Sequence, residues 1–404
     1  MTYQQAHRSS GSQARRFGSI SERVDLDLWI LVPAALLAAI GLVMVGSASI
    51  AIAEGQNLGS HYYTVRHGIY LFAGIVGALM FTIVSTEFLF KISRPMMLLG
   101  ALVLALVFIP GLGHTVNGST RWINFGIGTF QTVEAAKLML IVFMAGYLVR
   151  HQAAIEIRFF DTLKPLLIAL LYMLILLLQP DLGSAVIITA IVGGMLFLAG
   201  AAWKHIFTLV TLASPVFVLA AMEPYRLRRI VSFMDPWADP YNSGFQLTQA
   251  LIAIGRGELT GVGLGASIQK LFYLPEAHTD FIFSVYAEEL GLIGVLVLML
   301  LFVTLIGRIM LIGLQSIRAD RPFAGYLAYG VGLWLSIQAL VSMGVNMGVL
   351  PTKGLTMPLI SSGGSSILMT CVAIGMVLRV KYELDRETDP RILRRREIAG
   401  YARG

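Results

Sequence analysis

The sequence predicts an all-α polytopic membrane protein of about ten transmembrane helices. Two observations carry this. Of 404 residues, 56% are hydrophobic and only 13% charged, with a mean hydropathy of +0.76, well above what a soluble domain of this length carries. Apolar windows of about 17–25 residues recur from Leu28 to Arg379, each long enough to cross roughly 30 Å of hydrocarbon as a helix. None alternates with the period of two that a barrel strand needs.

In chain order the expected spans are 28–50, 66–86, 95–111, 132–149, 164–180, 184–201, 205–222, 280–307, 323–347 and 362–380. The fifth and sixth come from a single apolar run, Leu166 to Ala202, because Gln179-Pro180-Asp181-Leu182-Gly183 interrupts it and reads as a turn. Lys and Arg in short loops and tails favour the cytoplasm. Arg8, Arg15, Arg16 and Arg23 precede the first span, Lys91 and Arg94 follow the second, and Arg150, Arg158 and Lys164 follow the fourth. With an even number of spans, Arg391, Arg394, Arg395 and Arg396 fall on the same side, so both termini are expected in the cytoplasm. The chain divides into a polar tail (1–27), a membrane domain (28–380) and a charged tail (381–404). The first apolar run is too long for the core of a cleaved signal peptide and is expected to be retained.

The excess of 30 Lys and Arg over 23 Asp and Glu needs no nucleic-acid partner, since tails and inner loops place much of it near anionic headgroups. The single cysteine, Cys371, lies in the last span and excludes an internal disulfide or a thiolate metal cage.

Two outward connections are long, Gly111 to Gln131 and Glu223 to Thr279, and long connections in compact domains are usually functional. The first carries Arg121 and Trp122 and enters a span through Glu134 and Lys137, which share a helix face at i, i+3. That pair is either an interfacial ion pair or the wall of a polar cavity. Asp181 either caps the sixth span or faces a site. The second connection, between the seventh and eighth spans, holds Arg226, Arg228, Arg229, Arg256 and Lys270 on the side where the charge rule leaves few cations. Guanidinium groups grip phosphate oxygens in pairs and an ammonium adds a point charge, so this excess suits a diphosphate; a headgroup-facing amphipathic segment is the plainer alternative. Glycines 255, 257, 261, 263 and 265 lack the Gly-Lys-Ser/Thr ending and strand context of a nucleotide loop and read as flexible turns. The last outward segment, LPTKGLTMPLISSGGSS, offers Lys353 and hydroxyls such as Ser361, as packing glue or as the lining of a cleft.

In LPEAHTDFIF, Asp280 stands where polar sequence turns apolar. An Asp at a helix N-terminus is held ionised by free N–H groups and the helix dipole, and it could act as a general base or merely as a cap. Glu288 lies eight residues on, about 12 Å along a helix, too far for the carboxylate pair of an inverting hydrolase at roughly 6.5–9.5 Å. A sugar hydroxyl displacing a diphosphate, however, needs only one base. Glu288 and Glu289 read as structural or cavity-lining, and His278 as a hydrogen-bonding neighbour.

GSTRWINFGIGTFQ, QPDLGS, GFQLTQALIAIGRGELTGVGLG, LPEAHTDFIFSVYAEELG and LPTKGLTMPLISSGGSS together resemble the SEDS family (shape, elongation, division and sporulation), more its division branch than its elongation branch. The resemblance spans almost the whole chain. It implies a ten-helix glycosyltransferase that polymerises lipid II on the outer face of the bacterial cytoplasmic membrane, at the division septum. Asp280 matches the family's essential acidic residue. It would take the proton from the GlcNAc 4-hydroxyl, which attacks the MurNAc anomeric carbon with inversion while undecaprenyl diphosphate leaves. Arg121, Glu134, Lys137, Asp181, Arg226, Arg228, Arg229, Gln246, Gln249, Lys270, His278, Lys353 and Ser361 are the candidate diphosphate or sugar contacts. No cofactor is required; magnesium or manganese would suit the substrate diphosphate, although the chain carries no dedicated cage. The implied partners are a class B penicillin-binding protein transpeptidase of the FtsI type and other divisome membrane proteins. A lipid II flippase and a divisome scaffold without catalysis are the competing functions. The chain departs from the usual family wording at Thr132, Ser184 and Ser362, none of them in the Asp280 motif.

Overall fold

A computed structural model describes residues 27–116, 119–124, 126, 128–155, 158–352 and 354–388. A described helix coincides with each expected span: α1 Leu28–Gly55, α2 Tyr62–Ile83, α3 Thr86–Ala105, α4 Thr132–Ile155, α5 Phe159–Leu178, α6 Leu182–Leu198, α7 Trp203–Ala221, α10 Ile282–Arg318, α11 Pro322–Asn346 and α12 Gly364–Thr388. Among the described residues, α1 to α5, α10 and α11 contain segments long and apolar enough to cross a membrane, whereas the apolar α6 has 17 residues. The third helix starts nine residues before the expected span, because Ser85 accepts the Phe88 N–H at 3.2 Å and caps a polar first turn.

Helices α4 and α11 are apolar on nearly all sides and sit in the middle of the bundle. Around them, α3 packs on α4, α10 on α11 and α1, and α2 on α12. Helix α2 leaves Phe72, Leu79 and Ile83 on an outer face where lipid would lie.

Both long connections are structured. Gly111 to Gln131 contains an antiparallel sheet of order β1-β2-β3, from Gly113–Val116, Ser119–Asn124 and Thr129–Gln131. Strand alternation gives Arg121 and Trp122 opposite faces of β2, and Trp122 is paired with Gln131 of β3. The Glu223–Thr279 segment contains α8 Pro224–Met234 and α9 Phe245–Gly257.

Helix α10 is broken. Gly291 adopts φ 63° and ψ −166°, and residues 258–263 dock into the gap. There the Val262 and Gly263 N–H groups donate to the Glu288 and Glu289 carbonyls at 3.0 Å each. In return, Leu292 and Ile293 donate to the Glu258 and Leu259 carbonyls at 3.0 and 3.1 Å. Four backbone groups of α10 beside the break are thus re-paired by protein, the condition for irregular backbone inside a membrane bundle. This corrects the expectation that glycines 257 and 261 are merely flexible turns. A Cβ on Gly257 would lie 2.0 Å from the Ala287 carbonyl oxygen, and one on Gly261 2.1 Å from that of Glu289. Since Gly261 also has φ +80°, Gly261→Ala should destabilise the fold by about 1–3 kcal/mol and lower the melting temperature in detergent. An unchanged melting temperature would show that the docked segment contributes nothing to stability.

Candidate active site

The Asp280 turn is fixed from both sides. Within it, the Thr279 and Phe281 N–H groups donate to the Glu276 carbonyl, and the Thr279 hydroxyl donates to the Glu276 carboxylate at 2.6 Å. From α11, the Asn346 amide donates to the Asp280 carbonyl at 2.9 Å, and its oxygen accepts the Ser284 N–H and hydroxyl at 3.2 and 2.8 Å. Asn346 therefore caps the start of α10. Sequence reasoning missed this residue, although a fully buried amide at a span end is a signal in itself.

Asp280 is not a cap. Helix α10 begins at Ile282 behind Phe281, and no side chain caps it at that position. The half-buried Asp280 side chain is turned instead toward the Gly354 backbone, where an added Cβ would lie 2.8 Å from its Oδ2. Desolvation, reinforced by Glu276 and Asp181 and opposed by Arg121 and Arg229, pushes its pKa up to about 7. The expectation that a helix N-terminus holds it ionised is thereby corrected. A carboxylate titrating near neutrality is the better base, because its proton affinity approaches what a hydroxyl proton requires.

Arg121 reaches the turn between α5 and α6. It donates to the Pro180 carbonyl at 2.6 Å and the Gln179 carbonyl at 3.4 Å, and lies 3.6 Å from Asp181. Asp181 caps α6, accepting from the Ser184 N–H at 3.1 Å and its hydroxyl at 2.7 Å, so the capping alternative holds alongside an ion pair. Arg229 on α8 donates to the Thr352 carbonyl at 3.4 Å, which brings that helix over the segment facing Asp280. The side chains of Arg226 and Arg228, and all of Lys353, lie outside the described residues.

Glu134 and Lys137 form a buried pair at 2.9 Å. Lys137 also donates to Gln338 at 2.8 Å and lies 4.7 Å from the Trp334 ring centroid, while Gln338 donates to the Thr356 carbonyl at 2.9 Å. This network ties α4 and α11 to the Gly354 segment. Gln338 and Trp334 were not expected from sequence, because an amide in an apolar helix does not reveal its partner.

Other expected contacts are committed elsewhere. Lys270 donates to Glu289, Ser47 and the Gly265 carbonyl, each at 2.7 Å. Arg256 pairs with Glu288 at 2.9 Å. Two of the five cations expected at a diphosphate mouth are thus paired with the fully buried carboxylates Glu288 and Glu289 beside the α10 break. Ser361 accepts the Met357 N–H at 2.8 Å and shapes its own loop. Gln246 and Gln249 are half-buried on α9, which packs on α10 and α11.

His278 is 8% exposed and lies against Tyr63, ring centroids 4.7 Å apart. Burial lowers its pKa from the ordinary value, so the ring is neutral at pH 7. Its carbonyl accepts the Ser362 N–H at 2.9 Å. The 354–362 segment therefore straddles the turn, with Gly354 on the Asp280 side and Ser362 on the His278 side. A polar cavity of about 160 Å³ opens on the His278 side.

No three His, Cys, Asp or Glu side chains converge as metal ligands among the described residues.

A family model of cell cycle proteins, FtsW/RodA/SpoVE, matches residues 27–386. The chain belongs to that family. A protein of Xanthomonas oryzae pv. oryzae, named probable peptidoglycan glycosyltransferase FtsW, is 50% identical over 93% of this chain and 76% of its own length. A protein of the same name from Nitrosococcus halophilus is 51% identical over 88% of this chain and 92% of its own. Among solved structures, a chain described under structural coordination of polymerization and crosslinking by a peptidoglycan synthase complex superposes with a TM-score of 0.73 at 31% identity, covering 91% of this chain and 100% of that one. The rod shape determining protein RodA of Thermus thermophilus gives 0.65 at 29% identity, covering 90% and 99%. These matches identify a SEDS-family membrane protein of the FtsW type.

Proposed function

We infer that the chain is a peptidoglycan glycosyltransferase that polymerises lipid II, with Asp280 as general base. One observation carries the base assignment: a carboxylate poised near neutral pH faces the bare backbone of Gly354 in the field of Arg121 and Arg229. The Asp280 carboxylate accepts the proton of the acceptor GlcNAc 4-hydroxyl. That oxygen forms its bond to the MurNAc anomeric carbon of a second lipid II from the face opposite the diphosphate. The bond from that carbon to the diphosphate oxygen breaks with its electron pair, the configuration inverts, and undecaprenyl diphosphate departs. Arg229 supplies the cationic field for the leaving group. Because a diphosphate leaves readily under such a field, no second carboxylate is needed.

The reaction belongs on the periplasmic face of the inner membrane, at the septum, with tails 1–27 and 381–404 on the opposite, cytoplasmic side. A crosslinking partner of the class B penicillin-binding type fits a chain whose described helices carry no separate soluble domain, and the synthase complex among its structural relatives supports this. Purified chain with its transpeptidase partner and lipid II should produce ladders of glycan strands on a gel. If the chain instead moved lipid II between leaflets of vesicles without making glycan, the flippase reading would replace this one.

Gly354 supplies a sharper check. Any side chain there must displace the Asp280 carboxylate, and a shift of about 1 Å in a reacting group costs on the order of 10²-fold in rate. Gly354→Ala should lower the polymerisation rate by about that factor, with melting temperature and expression unchanged. Wild-type rates in Gly354→Ala would place the reacting oxygen elsewhere.

A further inference from the structure

We propose that the cavity on the His278 side of the turn binds the diphosphate of a lipid-linked sugar, as a site distinct from the Arg121 and Arg229 side of Asp280. This rests on the polymerase reading, in which two lipid-linked molecules, and hence two diphosphates, meet at one base. Four features point to an anion. The N-terminus of the 25-residue α12 opens into the cavity at Gly364, Ser365 and Ser366, and the first N–H groups of a helix have no intrahelical acceptor. Two buried imidazoles line the same space: among the described residues, His67, 2% exposed, has no hydrogen bond at either ring nitrogen, and His278 has none at Nδ1. Arg66 adds a guanidinium, 5.9 Å from the Tyr70 ring centroid. No Asp or Glu is among the described residues that line the cavity.

The wall is built for close approach. A Cβ on Gly364 would lie 2.5 Å from the Tyr70 ring, and one on Gly128 2.3 Å from the Tyr70 hydroxyl, so the two glycines let α2 close against the start of α12 and against the residue before β3. Trp122 and Tyr63 add aromatic faces, which suit the C–H surface of a pyranose next to the anion. His278 precedes Asp280 by two residues, at most about 7 Å of chain. A phosphate held at His278 therefore puts its attached sugar within reach of the Asp280 carboxylate.

The test uses the full chain in detergent, geranyl diphosphate as probe and tryptophan fluorescence as readout. Saturable binding is expected, with geraniol binding far more weakly. Arg66→Gln and His278→Asn should each weaken the probe by about tenfold or more while keeping the wild-type melting temperature. Lys91→Gln, which removes an exposed cation of α3, should bind like wild type. Asp280→Asn should bind the probe normally even without polymerase activity, so failure of the base assignment and failure of this site are separable. Equal affinity of the wild type for geraniol, or undiminished affinity in both folded cavity variants, would overturn the proposal. If either variant is unfolded, the other together with the geraniol comparison decides.

Discussion

Asp280→Asn is expected to abolish glycan polymerisation and, at the same time, to make the protein more stable at pH 8. The amide has nearly the shape of the protonated acid but cannot take a hydroxyl proton, and loss of a general base costs about 10²–10⁴-fold. Glu276 is no substitute, since its carboxylate accepts the Thr279 hydroxyl within the turn. The stability change follows from linkage. The Asp280 pKa is about 7 in the fold against 3.8 for the free side chain, so between these values the folded state holds a proton that the unfolded chain has released. Wild-type stability therefore falls as pH rises from about 4 through about 7, and an asparagine carries no such penalty. The melting-temperature gain of Asp280→Asn over wild type should be near zero at acid pH and grow to its full size by pH 8. Wild-type polymerisation should rise over the same range, as the carboxylate loses its proton. A stable variant that still polymerises at the wild-type rate would remove Asp280 from the chemistry; a gain that does not vary with pH would remove the burial argument.

The helices were legible because a helix that crosses a bilayer needs a long apolar stretch, a requirement that acts locally and leaves a run in the sequence. The turn at Gln179-Pro180-Asp181 was legible for the same reason in reverse, since these three residues, two of them (Pro180 and Asp181) poor in a helix, interrupt such a run. The state of Asp280 was not. A carboxylate before an apolar run reads as a cap, and only the position of Asn346, 66 residues away, shows that the capping role is already taken. Nor could the sequence assign the cations of its second long connection. Arg256 finds Glu288 32 residues on, and Lys270 finds Glu289 19 residues on, across a helix break that depends on close backbone contact between Gly261 and Gly291. Charge counting locates cations along a chain, but which carboxylate each one meets is decided by tertiary packing.

That difference makes Lys270 the most informative position after Asp280. If Lys270 gripped a substrate diphosphate, Lys270→Met would fold normally and raise the KM for lipid II. The structure requires another outcome. Glu289 is fully buried, its Oε1 accepts from Lys270 and Ser47 at 2.7 Å each, and its Oε2 has no hydrogen bond among the described residues. Removing the lysine strands a carboxylate two residues from the break in α10, and uncovering one member of a buried pair costs about 3–5 kcal/mol. Lys270→Met should therefore lose most of its folded yield, with a large drop in melting temperature. Glu289→Gln added to Lys270→Met removes the stranded charge while keeping an acceptor for the Ser47 hydroxyl, so the double variant should recover much of the loss. Recovery identifies the pair as a clamp that holds the 258–270 segment to the first part of α10, the part that begins beside Asp280. A folded Lys270→Met protein, or a double variant no better than the single, would return Lys270 to the substrate.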